Sequence, residues 1–167
     1  MKMTNSFGKI HKTSMLIGGG VGALAAVSVT AAVGSPLPVL RFLGAEALLP
    51  PLWLVGLLWL AGYVLLGAAA GDALACPKGG PYRETPLWRG MTFLVLEAVF
   101  SLAWYSLLFG SLLLLPAWLC LAAAVAAGVL CILSWFRSHC PAALICGGVT
   151  VWLLYLALCH AAVILHN

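Results

Sequence analysis

Five apolar stretches, each near the length needed to cross a bilayer, fill most of this sequence. They run roughly Met15–Val33, Leu48–Ala70, Leu87–Gly110, Leu112–Phe136 and Ala142–Leu165. A transmembrane helix needs about 20 consecutive apolar residues. Of the 167 residues only 7% are charged while 64% are hydrophobic, far too few charges for the surface of a globular domain of this size. The expected fold is all-α: a polytopic membrane protein forming one five-transmembrane-helix bundle over residues 1–167. No matched internal repeat is visible, which argues against an inverted-repeat transporter.

The formal net charge of +4 is not a nucleic-acid signal, because the basic residues sit at the ends of the apolar stretches and set orientation. Lys2, Lys9 and Lys12 precede span one. Lys78, Arg83 and Arg89 lie between spans two and three, and Arg137 follows span four. With the N-terminus inside, these seven fall on the inner face and only Arg41 falls outside, which independently supports an odd number of spans. The C-terminus, His166-Asn167, is then outside. The N-terminal segment has basic residues, an apolar run and small residues at Ala31-Ala32, as a signal peptide does. Its long basic region and near-full span length favour a retained first helix.

The six cysteines are Cys76, Cys120, Cys131, Cys140, Cys146 and Cys159. None falls in C-x-x-C or a zinc spacing, so no metal site is expected. Four lie within spans, where they read as small apolar fillers. A membrane thiol oxidoreductase is expected to carry a close cysteine pair, and the sequence spacing shows none.

Pro50-Pro51-Leu52-Trp53 opens span two, followed by Trp59, Tyr63 and Gly67. At about 100° per residue, Gly56, Trp59, Tyr63 and Gly67 share one stripe of the helix. Rings set among glycines suggest a slot for something flat and apolar. In span three Glu97, Ser101 and Trp104 line another stripe. A buried ionisable group is costly in a membrane, so two readings of Glu97 stand. It orients a ligand in an internal cavity, or it is satisfied by Ser101 or a neighbouring helix. His160 in span five is conceivable as an axial haem ligand, against the simpler reading of a helix–helix hydrogen bond. Trp53, Trp88, Trp118 and Trp135 fit the interfacial belt, whereas Trp59, Trp104 and Trp152 are set deeper and read as cavity lining. Trp152, Leu156 and Cys159 share a face of span five. Gly18 and Gly22 form a G-x-x-x-G pair suited to close helix packing. The first loop, Gly34 to about Ala47, is expected to fold back over the bundle mouth. The second, Gly71 to Pro86, is polar, and Gly110-Ser111 make the third.

In this order and at these spacings, the motifs resemble the translocator protein / tryptophan-rich sensory protein family, also called the peripheral benzodiazepine receptor family. Its P-P-x-W…W…Y…G pattern is similar to Pro50, Pro51, Trp53, Trp59, Tyr63 and Gly67. Its Gln, Asn, Trp and F-F-G pattern looks like Glu97, Ser101, Trp104 and Leu108-Phe109-Gly110. Its P-A-A followed by Trp matches Pro141-Ala142-Ala143 and Trp152, and its G-G-x-x-G-A is similar to Gly18 through Ala23. Departures are the missing Trp-Tyr pair and K-P-x-W of the first loop, Glu97 for Gln, Ser101 for Asn, Leu156 for a small residue and His160 for Asn. No Lys or Arg follows Trp152, so the sterol-recognition pattern of animal members is absent.

The resemblance implies a receptor or sensor that binds tetrapyrroles (porphyrin, haem) or similar flat apolar ligands in a Trp-lined cavity beneath the first loop. The candidate ligand-binding residues are Gly22, Ala23, Pro51, Val55, Gly56, Trp59, Tyr63, Glu97, Ser101, Trp104, Trp152, Leu156 and Cys159. Arg41 is the candidate partner of porphyrin propionates. No catalytic residue and no required cofactor are assigned; porphyrin or haem enters as ligand. The expected partners are the lipid bilayer, the small molecule and a second copy in a homodimer. The expected location is a bacterial cytoplasmic membrane. Alternatives are a light- and oxygen-dependent porphyrin-degrading enzyme, a small carrier, or a structural partner acting through the second loop.

Overall fold

In hydrocarbon a backbone N–H or C=O has no water to bond, so an apolar span satisfies itself as a helix. The computed structural model describes residues 12–43, 51–75, 81–136 and 140–166. Pro50, Cys76, Lys78, Arg137, His11 and His139 lie outside them. The described residues form six α-helices: α1 Lys12–Val33, α2 Leu37–Phe42, α3 Leu52–Ala75, α4 Pro81–Tyr105, α5 Leu114–Trp135 and α6 Cys140–His166. A single π turn, Ser106–Gly110, continues α4. All but α2 are long and apolar enough to cross a membrane. At 1.5 Å per residue they measure roughly 33–40 Å, against a hydrocarbon core of about 30 Å. The protein is an integral, multi-pass membrane protein with an all-α fold.

The helix ends differ from the sequence expectation in two places. Helix α3 runs on through Gly71–Ala75, and α4 begins at Pro81, so both ends of the expected polar second loop are helical, and residues 76–80 lie outside the described residues. Small residues at the end of α3 keep the helix going because Gly71 packs against Ser14 of α1 and Ala73 is fully buried; Pro81 suits a helix start, where its missing N–H costs nothing. The third loop also moves, from Gly110-Ser111 to Leu112-Leu113. There the chain reverses with Leu112 at φ 53° and the Leu113 N–H donating to the Leu107 carbonyl at 3.0 Å.

Helices α3, α6, α5 and α4 pack in that order as a ring, and α1 lies outside it, almost wholly against α3. The α1–α3 seam is made by glycine. A Cβ on Gly18 would lie 2.0 Å from the Gly67 carbonyl oxygen, one on Gly22 2.0 Å from that of Tyr63, and one on Gly71 2.0 Å from that of Ser14. Gly18, Gly22 and Gly67 are thus spent on backbone contact between two helices rather than on room for a ligand. In the ring, Ala117, Leu121, Ala124, Cys131 and Trp135 of α5 are fully buried, as are Ala142 and Cys146 of α6.

A Gly22→Ala substitution should force α1 off α3 and cost about 1–3 kcal/mol. Gly20, with nothing within 4 Å of its added Cβ, should tolerate alanine with unchanged or slightly higher stability. Denaturation of the detergent-solubilised variants measures both.

Candidate functional site

One end of the bundle is hollow. There the last turns of α1, the first turns of α3, the end of α4 with its π turn, and the second half of α6 surround a cavity of about 840 Å³. Helix α2 lies across this end. Leu40 of α2 is buried against Val163 of α6, with Leu43 and Phe109 packed on the pair. The described part of the first loop, through Leu43, therefore folds back over the bundle mouth.

The wall is aromatic. Trp59 stacks on Tyr105 with centroids 4.9 Å apart and planes at 26°. It meets Tyr63 edge-on at 4.9 Å and Trp104 at 5.6 Å. Phe109 lies 4.8 Å from Tyr105 and 5.9 Å from Trp104. Across the cavity, Trp152 stacks on Tyr155 at 5.4 Å. Such offset and edge contacts hold the rings in place and add to the burial of their area. Between them α4 and the π turn direct Trp104, Tyr105, Leu108 and Phe109 at the same space.

Of the residues expected to bind ligand, Val55, Gly56, Trp59, Trp104, Trp152, Leu156 and Cys159 line this cavity. The others fall elsewhere. Glu97 is fully buried at the junction of α4, α5 and α6, where its Oε1 accepts a hydrogen bond from Thr150 Oγ1 at 3.0 Å. A Cβ on Gly128 of α5 would sit 2.6 Å from that oxygen, so only glycine fits opposite it. Ser101 is buried and shares a 2.5 Å hydrogen bond with the Tyr63 hydroxyl, tying α4 to α3. The stripe Glu97–Ser101–Trp104 is therefore divided: its first two members fasten helices and only Trp104 reaches the cavity. Gly22 and Tyr63 border a separate groove of about 540 Å³ between α1, α3 and α4. Ala23 and Pro51 line neither space. Arg41 is exposed in the last turn of α2 and is not part of the wall.

His160 lines the cavity and accepts a hydrogen bond at Nδ1 from Trp104 Nε1 at 3.0 Å. This is the helix–helix bond expected of it. In neutral imidazole an accepting Nδ1 leaves the proton on Nε2, so this arrangement offers no lone pair to a haem iron. Two of the tryptophans assigned to the interfacial belt are instead structural. Trp135 is fully buried and donates to the Leu87 carbonyl at 3.3 Å, and Trp118 donates to the Ala157 carbonyl at 3.1 Å. Trp53 and Trp88 are exposed as the belt requires, and Trp53 also borders the cavity.

Tyr105, Thr30, Leu40 and Ala26 also line the cavity, though no motif marks them in the sequence. The adjacency of Tyr105 to Trp104 was the available signal, since a broad aromatic face is wider than one stripe.

The aromatic cavity under a short helix, in a five-span bundle, has a counterpart in sequence. A sequence model of the TspO/MBR family matches residues 14–165. The chain belongs to the TspO/MBR family. No curated protein and no solved structure matched in the corresponding searches. The match to the TspO/MBR family takes in all five spans, including Glu97, Ser101 and His160.

Replacing Glu97 by Gln keeps an oxygen for Thr150 and should leave stability equal or higher. Glu97→Ala opens a void and should cost about 2–4 kcal/mol. Because Glu97 stands away from the cavity, both should leave ligand affinity nearly unchanged, as read by thermal unfolding beside a ligand titration.

Proposed function

We propose that the protein is a membrane receptor or sensor that binds a flat, largely apolar ligand, of the tetrapyrrole class, in the aromatic cavity. The cavity itself carries this reading. Its volume lies within the range of small-molecule sites, and its wall is apolar with a few polar groups, as such sites are. Trp59, Trp104, Tyr105 and Trp152 offer π-faces to a planar macrocycle. The family membership supports the same role.

The polar groups refine the ligand. Trp59 Nε1 and Trp152 Nε1 are buried without a hydrogen-bond partner in the protein, and both side chains line the cavity. A buried donor left unpaired is costly. A ligand carrying acceptor oxygens would relieve that cost once a ring turns to meet it. With the His160 Nδ1 lone pair engaged by Trp104, the reading favours a metal-free porphyrin, or a haem held by its ring faces, over axial ligation. The same proposal includes a homodimer and a bacterial cytoplasmic membrane. The N-terminus is inside, as the seven-to-one distribution of basic residues favours, so the cavity faces the outer side.

Titrating purified protein with protoporphyrin, in darkness and under light, tests this through tryptophan fluorescence. Saturable quenching in the dark, without loss of porphyrin, is expected. Trp59→Phe and Trp152→Phe should each weaken binding by about three- to tenfold, and Trp53→Phe by much less. Absence of saturable dark quenching would refute the binding role. Porphyrin loss that needs light and these indoles would make the protein a degrading enzyme instead.

A further inference from the structure

At the opposite half of the bundle from the cavity, two sulfurs that the sequence keeps 15 residues apart come together. Cys131 Sγ of α5 and Cys146 Sγ of α6 lie 3.8 Å apart. Both are free thiols and both are fully buried. They meet because α5 and α6 form a tight hairpin, with the small buried residues Ala127, Gly128, Ala142 and Ala143 on its two arms. The pair belongs to a polar cluster. The single proton of the Thr150 hydroxyl is shared between two acceptors, the Cys146 carbonyl at 2.9 Å and Glu97 Oε1 at 3.0 Å. Glu97 Oε2 is buried with no partner.

We propose that Cys131 and Cys146 are a hydroperoxide-sensitive dithiol that closes to a disulfide between α5 and α6. The chemistry balances without leaving charge in the membrane. One sulfur attacks an oxygen of hydrogen peroxide; the S–O bond forms, the O–O bond breaks, and the departing hydroxyl leaves as water with the first thiol's proton, giving a sulfenic acid. The second sulfur then attacks the sulfenic sulfur; the S–S bond forms, the S–O bond breaks, and the hydroxyl leaves with the second thiol's proton as water. Two thiols and one peroxide give one disulfide and two waters, with two electrons passing from the sulfurs to the O–O bond. The oxidant is small and neutral, so it reaches a buried pair through brief openings of the bundle more readily than a charged reagent does. Closing from 3.8 Å to a bond of about 2.05 Å draws the sulfurs together by roughly 1.8 Å. The Glu97–Thr150 junction stands one turn along α6, so the bond staples the hairpin beside the point where α4 joins it.

The experiment uses the full chain in detergent, reduced and then exposed to hydrogen peroxide. The intact mass should fall by two hydrogens. After unfolding, the number of alkylatable thiols should fall by two from the six of the reduced chain. Peptide mapping should join the segments bearing Cys131 and Cys146. A variant with Cys76, Cys120, Cys140 and Cys159 changed to Ala should show the same loss, whereas Cys131→Ala should abolish the crosslink. Two outcomes overturn the proposal: both thiols staying alkylatable after peroxide, or the crosslink mapping to another pair. The mapping on the unsubstituted chain decides the matter even if a variant fails to fold. It is also independent of whether porphyrin binds.

Discussion

Lipid tails are as apolar as leucine, so nothing like the hydrophobic effect presses transmembrane helices together; close packing and a few interhelical hydrogen bonds must do it. This bundle meets that constraint with small residues. Helix α1 is held to α3 where Gly18, Gly22, Gly67 and Gly71 let backbone meet backbone. Alanine, glycine and cysteine do the same for α5 and α6. The bonds from Thr150 to Glu97, Tyr63 to Ser101, Trp104 to His160 and Trp118 to Ala157 then fix the helices at separate depths. Each joins two different helices, so register is specified at several levels.

Packing by small residues also makes room for large ones. Beneath α2, helix α3, α4 with its π turn, and α6 present Trp59, Trp104, Tyr105, Phe109 and Trp152 to the cavity. These rings leave the space open and brace one another around it. The π turn after Tyr105 contributes here. A local widening of the helix changes the phase of the residues that follow, and Leu108 and Phe109 join Trp104 and Tyr105 on the cavity side.

Number of spans, helical class and family were legible because each rests on a long-range pattern: five apolar runs, the basic residues between them and four spaced motifs. About a third of the wall was legible too. Trp59 and Trp152 were found because a large ring deep in a span has few other uses. Glu97 and Ser101 could not be placed from sequence because a helical stripe names a shared face, and does not say whether that face meets a cavity or another helix. Here the stripe turns from one to the other between Ser101 and Trp104. The glycines misled in the same way, since glycine serves close backbone contact as well as open space. The thiol pair was invisible because its two members become neighbours only when the α5–α6 hairpin folds, and no spacing rule for local motifs reaches across such a turn. The contributions of α1 and α2 to the wall depend on where the first loop lands, which periodicity does not encode.

The bonds below the cavity have a consequence for traffic. Tyr63 with Ser101, Glu97 with Thr150, Cys131 with Cys146 and the buried Trp135 occupy the space between α3, α4, α5 and α6 from mid-depth to the far end. The vestibule is therefore a cul-de-sac. Passage from it to the other side would require the ring of four helices to part along these contacts. The proposed role as a receptor asks for no such parting, whereas a carrier would have to undo it in every cycle.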